Sequence, residues 1–364
     1  MFSAAALAAV AAAASCAACA SSGAAAATTP ADAEPGVVDA ADDRSPVDDA
    51  SAALGVSVHA VVDLPRTTAT EALSGTAFDP ATRTLYALQD KRTRIVPLVG
   101  NEAFDAFTVG TPIVLTGRTE IAYDGEGLVL SGAGFIAVTN ETTPTVERFD
   151  LSGKREAAIA LPPRYGQQAA GNKGLESLAV SPSGAFLFTA NESALMTDGS
   201  VATKTRGTTV RILRRELATG ADSEVAYRTE PLGAGGVGDM GVAELAAVSD
   251  DVLLVLERGY QADYGNTVRI FRVDFSSGSR VDGIPALTAA TPVLEKTLLV
   301  DIATLPPSGA THPATQPNPI LDNYEALSIG PTLPDGRRLL FVTSDDNASA
   351  TQVPRVLVLA VRGL

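Results

Sequence analysis

The sequence predicts an all-β fold, a β-propeller of four-stranded blades. Three observations predict it. From Leu54 onward, short β-branched runs alternate with clusters of Gly, Pro, Asp and Ser, and no window of about a dozen residues holds a helical period. One unit, made of a strand, a tight turn, a second strand and one or two further strands, recurs five times. A single unassigned strand, Val56 to Val62, stands before the first copy, and the last copy is one strand short because the chain ends at Leu364. That leading strand is expected to complete the last blade and close a ring, which protects the sheet edges. The count is five blades, or six if a long loop hides a degenerate one.

The copies can be taken in order. The first runs from Leu73-Ser74-Gly75-Thr76-Ala77-Phe78 through the turn Asp79-Pro80-Ala81-Thr82 to Thr84 through Asp90. The second joins Glu126-Gly127-Leu128-Val129-Leu130 to Phe135 through Glu141. The third joins Gly174-Leu175-Glu176-Ser177-Leu178-Ala179-Val180 to Phe186 through Glu192, across the turn Ser181-Pro182-Ser183-Gly184. The fourth joins Glu244-Leu245-Ala246-Ala247-Val248 to Val252 through Glu257, and the fifth joins Glu325-Ala326-Leu327-Ser328-Ile329 to Leu339 through Asp345. Third strands follow near Thr93, Thr145, Thr209, Val268 and Val356, and fourth strands near Phe107, Arg155, Ser223 and Thr297.

The repeat carries acids with it. In an antiparallel hairpin the start of one strand lies beside the end of the next. Ser74 and Asp90, Glu126 and Glu141, Glu176 and Glu192, Glu244 and Glu257, and Glu325 and Asp345 should therefore share one end of their hairpins. Nine of these ten positions are carboxylates. If the first strands line the channel, the acids converge on one mouth. The connections at that end are long (Pro162 to Leu175, Ser193 to Gly207, Pro231 to Val242, Arg258 to Thr267, Leu305 to Tyr324), and long loops on one face of a rigid scaffold tend to carry function. Ser276 to Lys296 is long at the other end, with no role evident from sequence.

Converging carboxylates repel, so they must protonate, pair with bases, or bind a cation. Oxygen ligands without Cys or His favour Ca²⁺ over zinc. Three fates stay open: structural locks onto backbone amides of the next blade, a Ca²⁺ site, or direct acid/base catalysis. Glu176, Glu244 and Glu325 are the candidate catalytic acids. Lys173, Arg258 and Lys91 are the candidate substrate-binding bases. Asp90, Glu126, Glu192, Glu257 and Asp345 are the candidate metal ligands.

Composition bounds the rest. With 364 residues, 46% of them apolar, the chain can bury a large core, and a net charge of −15 argues against nucleic acid or an anionic membrane as partner. Residues 1–20 are almost all Ala around Leu7, Val10, Cys16 and Cys19, and read as a signal peptide or lipoprotein leader. Ala13-Ala14-Ser15-Cys16 suggests a degenerate lipobox and a lipid anchor. Cys16-Ala17-Ala18-Cys19 lies in that leader rather than at a helix start in a domain, which disfavours a redox or metal role. Residues 21–53, rich in Ala, Pro and Asp, read as a disordered linker, and 54–364 as the propeller domain. No G-x-S-x-G elbow or P-loop occurs. Of the two histidines, His59 is expected to be structural and His312 sits in an acidic-side loop.

The chain resembles the bacterial family described as "esterase-like activity of phytase". The resemblance rests on Leu73-Ser74-Gly75 with Phe78-Asp79-Pro80, Gly174 through Ala179, Asn191-Glu192-Ser193-Ala194-Leu195 with Asp198-Gly199, Leu256 through Tyr260, Asn323 through Leu327, and Ser344 through Asn347. It implies an exported β-propeller hydrolysing phosphate or other esters. Calcium-dependent propeller phytases supply a physical picture, in which acids hold Ca²⁺ and the ion joins Lys and Arg in neutralising phosphate. Asn140-Glu141-Thr142 departs from the family pattern, which weakens Glu141 as a ligand. The other reading is a non-catalytic propeller that binds a ligand or protein partner at the cell surface. A monomer acting on a small-molecule ester is expected.

Overall fold

The structure, a computed structural model, describes residues 55–117, 124–233, 235 and 237–364. The leader, the linker and both cysteines lie outside the described residues.

Strand β1 (Gly55–Asp63) precedes the blades. Blade one holds β2 (Leu73–Asp79), β3 (Thr84–Gln89), β4 (Arg94–Gly100) and β5 (Phe107–Val109), with the two-residue β6 (Ile113–Val114) pairing the other end of β4. Blade two holds β7 (Leu128–Ser131), β8 (Phe135–Asn140), β9 (Thr145–Asp150) and β10 (Arg155–Ile159). Blade three holds β11 (Leu175–Val180), β12 (Phe186–Asn191), β13 (Thr209–Glu216) and β14 (Asp222–Arg228). Blade four holds β15 (Gly238–Ala247), β16 (Val252–Gln261), β17 (Gly265–Asp274) and β18 (Lys296–Asp301). Blade five holds β19 (Tyr324–Thr332), β20 (Arg338–Ser344) and β21 (Arg355–Arg362), and β1 pairs antiparallel with β21 as its outer strand. The described residues thus form five antiparallel blades in a ring, a β-propeller closed by its N-terminal strand, as the sequence predicted.

The ring is held by apolar sheet faces. Each blade packs on the next through a shared cluster. Ile136 and Phe149 meet Leu88 and Ile95 between blades one and two, and Leu187 meets Val129 and Phe135 between two and three. Val255 meets Phe188 and Ile212 between three and four, Leu254 meets Leu340 and Leu357 between four and five, and Phe341 meets Leu85 and Val96 across the closure. Strands buried on both faces explain why the sequence shows runs of apolar residues instead of alternation. The closure is also ionic: the buried Arg355 on β21 donates to Asp63 of β1 at 2.5 Å.

The innermost strands meet around the axis in the order β2, β7, β11, β15, β19. There the backbones come close enough to require glycine. The Gly75 amide donates to the Glu126 carbonyl at 2.5 Å, and a Cβ on Gly75 would lie 2.1 Å from that oxygen. Below this level, Leu128, Leu178, Leu245 and Leu327 with Thr76 form a buried plug. They line the wide opposite mouth, of about 490 Å³, and the acidic cup at the other end is lined without them.

One sequence expectation needs correction, and one segment left without a role gains one. The stretches Pro231 to Val242 and Arg258 to Thr267 are not simply long loops, because β15 begins at Gly238, β16 runs to Gln261 and β17 starts at Gly265. This hairpin stands above the rim, with Tyr260 and Tyr264 exposed. The segment Ser276 to Lys296 acquires a role. Its Val281 and Leu294 amides donate to the Glu224 and Ala226 carbonyls of β14, so it covers the outer edge of blade three. It is pinned by the fully buried Arg211, which bonds Asp198, Glu224 and the carbonyls of Val281 and Ile284.

Candidate active site

The site begins with a backbone irregularity. Four inner strands carry a bulge near their start: between Leu175 and Ser177, Tyr324 and Ala326, Val242 and Glu244, and Leu73 and Thr76. A bulge re-aims a side chain. The bulged residues are Glu176 in blade three and Glu325 in blade five, and Ser74 holds the same place in blade one. In blade two the strand proper starts at Leu128, and the equivalent residue, just before Gly127, is Glu126.

The residue after each second strand completes the ring. The amides of Asp90, Glu141, Glu192 and Asp345 donate to the carbonyls of Ala72, Asp124, Gly174 and Asn323, one blade position repeated four times. In blade four the register places Arg258 opposite Gly241 and Glu257 opposite Val242, so the equivalent positions hold Ala243 and Arg258. Glu244 and Glu257 are each one residue off, and a one-residue offset turns a strand side chain to the other face. The ring therefore holds seven carboxylates, Glu126, Glu176, Glu325, Asp90, Glu141, Glu192 and Asp345, with Ser74, Ala243 and one arginine.

The two displaced acids have structural partners. Buried Glu244 accepts from the Leu178 and Leu245 amides, both at 2.9 Å, and stitches β11 to β15 beneath the cup. Its burial pushes the carboxyl well above the ordinary range, against the lowering effect of those amides. Glu257 faces blade three, accepting from the Tyr227 hydroxyl at 2.5 Å and the Glu230 amide at 2.8 Å, and it also accepts from Lys296 of its own blade at 2.7 Å. Neither lines the cup. Their expected places at the mouth, Glu244 as a catalytic acid and Glu257 as a metal ligand, are thus corrected by the register of blade four. Glu141 is also tied inward, accepting from the Gly174 amide at 2.7 Å.

The cup, of about 310 Å³, brings together Asp90, Glu126, Glu176, Glu192, Glu325 and Asp345 with Lys91, Lys173 and Arg258, so nine of the eleven residues singled out from sequence share one cavity. Arg258 bridges Glu325 at 2.5 Å and Glu192 at 3.8 Å. Lys173 reaches Glu192 at 2.8 Å and also pairs with Asp239. Lys91, in a left-handed backbone conformation (φ +56°), turns to Asp90 at 2.8 Å and Asp124 at 3.4 Å. Asn323 donates to Glu325 at 3.0 Å, and the Asn347 amide donates to Asp345 at 2.6 Å. Among the described residues, no hydrogen bond or ion pair reaches the carboxyl group of Glu126 or Glu176.

Crowding acids in a low-dielectric cup raises their proton affinity. Burial pushes Glu176 well above the usual carboxylate range, and Glu126, Glu192, Glu141 and Glu325 push it further. Glu126 is raised in the same way, by burial and then by Glu325, Asp90, Asp124 and Asp345. Burial, then Glu325, raises Asp345. Burial and the neighbouring Asp124 push Asp90 up to about 7 despite Lys91. Burial also raises Glu192, although Arg258 and Lys173 oppose it.

Sequence reasoning missed Asp124. It stands two residues before Glu126, and that spacing puts both carboxylates on one side of an extended chain. Oxygens of Asp90, Asp124 and Glu126 lie within 4.8 Å of one another. Asp90 is 6% exposed, and its Oδ1 has no hydrogen-bond donor. Ca²⁺ takes oxygen ligands at about 2.3–2.6 Å, so this all-oxygen set fits it. Of the histidines, His59 sits at a bulge in β1 and bonds the Ala103 carbonyl, while His312 is turned to Asp322 at 3.1 Å, away from the cup.

The fold and cup define a class, a five-bladed propeller with an acidic site at one mouth. Comparison with known proteins makes this more specific. The family described as phytase-like, "esterase-like activity of phytase", matches residues 68–348, and the chain belongs to it. No curated protein matches the sequence. Among solved structures, the PQQ-bound aldose sugar dehydrogenase of Streptomyces coelicolor is 12% identical over 85% of this chain and 98% of its own, with a TM-score of 0.40. The periplasmic gluconolactonase of Pseudomonas aeruginosa is 14% identical over 79% and 87%, with a TM-score of 0.36. The hydrazine synthase of Kuenenia stuttgartiensis is 11% identical over 78% of this chain, which spans 59% of that one, with a TM-score of 0.37. Likeness at this level carries no argument about activity; the blades stand on the strand pairing itself.

Proposed function

We propose that the protein is a hydrolase of phosphate or other esters, working at the acidic cup with Ca²⁺. One observation carries the reading: six carboxylates and three bases from all five blades face a single cavity. Asp90, Asp124 and Glu126 are the residues that would hold Ca²⁺. The ion would supply charge neutralisation, without which the acids repel an anionic ester. Lys91, Lys173 and Arg258 face the same space and provide the cationic contacts for that ester. The Glu176 carboxyl has no hydrogen bond or ion pair among the described residues and a raised proton affinity, so it is the group fitted to give or take a proton at the ester oxygen. Glu325, held by Arg258 and Asn323, positions that arginine. Export through the leader and a small-molecule substrate belong to the same proposal.

The test is phosphate release from phytate, and hydrolysis of a carboxyl ester, by purified protein with Ca²⁺ and with chelator, beside Glu176→Gln. Ca²⁺-dependent turnover that Glu176→Gln loses is the expected result. A folded protein that turns over neither ester under either condition would remove the hydrolase and leave a ligand-binding propeller.

A further inference from the structure

We propose that Lys91 is a built-in competitor for the cation seat of Asp90, Asp124 and Glu126, and that Ca²⁺ entering the seat releases its ammonium to hold the anionic group of the ester. This deepens the proposed function and rests on it.

The geometry carries the inference. Oxygens bound to one Ca²⁺ at about 2.4 Å lie no more than about 4.8 Å apart, and the three acids meet that limit. Asp90 is almost fully buried. Lys91 takes its Oδ2, while Oδ1 receives no donor and is left for a further cation. The Lys91 ammonium also touches Asp124, so it occupies two of the three acids a divalent ion would use. An ammonium and a dication cannot share these oxygens without strong repulsion at such distances. Lys91 is the base free to leave, since its side chain is 69% exposed, against 25% for Lys173 and 15% for Arg258. Those two are each shared between two acids, Lys173 by Glu192 and Asp239, Arg258 by Glu192 and Glu325. None of these belongs to the cation seat, so an ion there does not release them. Lys91 and Asp90 both line the cup, so a displaced ammonium on its flexible stem stays beside the substrate space. Ca²⁺ and an anionic ester should then bind with positive coupling, each favouring the Lys91 position the other needs.

Calorimetric titration of the full chain with Ca²⁺ alone, without ester, tests the exchange. Lys91→Met should bind Ca²⁺ about tenfold more tightly than the native protein. Lys91→Arg should keep native affinity, and Asp124→Asn should lose most of it. Inorganic phosphate, titrated next, should bind the native protein more tightly with Ca²⁺ than with chelator, and Lys91→Met should lose that gain. Circular dichroism checks that each variant is folded. Native Ca²⁺ affinity in Lys91→Met, or phosphate affinity indifferent to Ca²⁺, would overturn the exchange and leave the hydrolase intact. Absence of Ca²⁺ binding in every protein would overturn it too, and ester turnover in chelator would then show whether the hydrolase stands without the ion.

Discussion

Replacing Arg258 with methionine tests the electrostatics of the cup. The guanidinium is mostly buried and lies 2.5 Å from Glu325 and 3.8 Å from Glu192. Removing one partner of a buried ion pair costs about 3–5 kcal/mol. The lower end applies here, because Glu192 keeps Lys173 at 2.8 Å and the cup opens to solvent. At about 2–4 °C per kcal/mol for a domain of this order of size, the melting temperature should fall by roughly 6–12 °C at pH 8. The loss should depend on pH. Arg258 lowers the proton affinity of Glu192, so the folded variant holds a proton to higher pH than the folded native protein does. A raised folded pKa means the folded state binds more protons than the unfolded one, and stability falls as pH rises through that window. The deficit should therefore be small near pH 4 and largest above neutrality. Scanning calorimetry in chelator from pH 4 to pH 8 measures it. An equal deficit at both ends, or none at pH 8, would refute the reasoning.

Glu244→Gln should keep ester turnover, since the residue lies outside the cup, and should gain stability relative to the native protein as pH rises, because the native carboxyl is held protonated only by burial. Loss of activity in a folded Glu244→Gln would contradict the register of blade four. Arg211→Met strands Asp198 in the interior and leaves Glu224 with Arg164 alone, and a loss of about 3–5 kcal/mol in denaturant unfolding is expected. Limited proteolysis should then cut first between Ser276 and Lys296, the segment that Arg211 pins. Gly75→Ala should cost about 1–3 kcal/mol or block folding, because its Cβ would overlap the Glu126 carbonyl. Native stability in urea would show that the inner strands have more room than the structure gives them.

Much was legible in the sequence. The five-fold recurrence of paired apolar strands, the spare strand before the first copy and the missing strand after the last determined the propeller and its closure, because a blade is a local hairpin whose signals lie within a few dozen residues. The acids at strand starts and ends located the mouth for the same reason. What stayed hidden depended on single-residue register. Glu244 and Glu257 fit the acidic pattern as well as Glu176 and Glu192 do. Where the bulge falls in β15 decides that Ala243 and Arg258 take the ring positions instead, and that Arg258 faces the cup. A bulge is set by how neighbouring strands crowd at the axis, and no local propensity encodes it. Asp124 was hidden because it becomes a partner of Asp90 only when blades one and two meet. The leucine plug, the grip of Arg211 on the blade-three cover and the reach of Lys91 to Asp124 likewise join residues distant in sequence or in different blades. The sequence by itself determined which units form and which residue types they carry to one end. Only the tertiary structure decided which of those side chains share a cavity, since that depends on strand register and on contacts between blades.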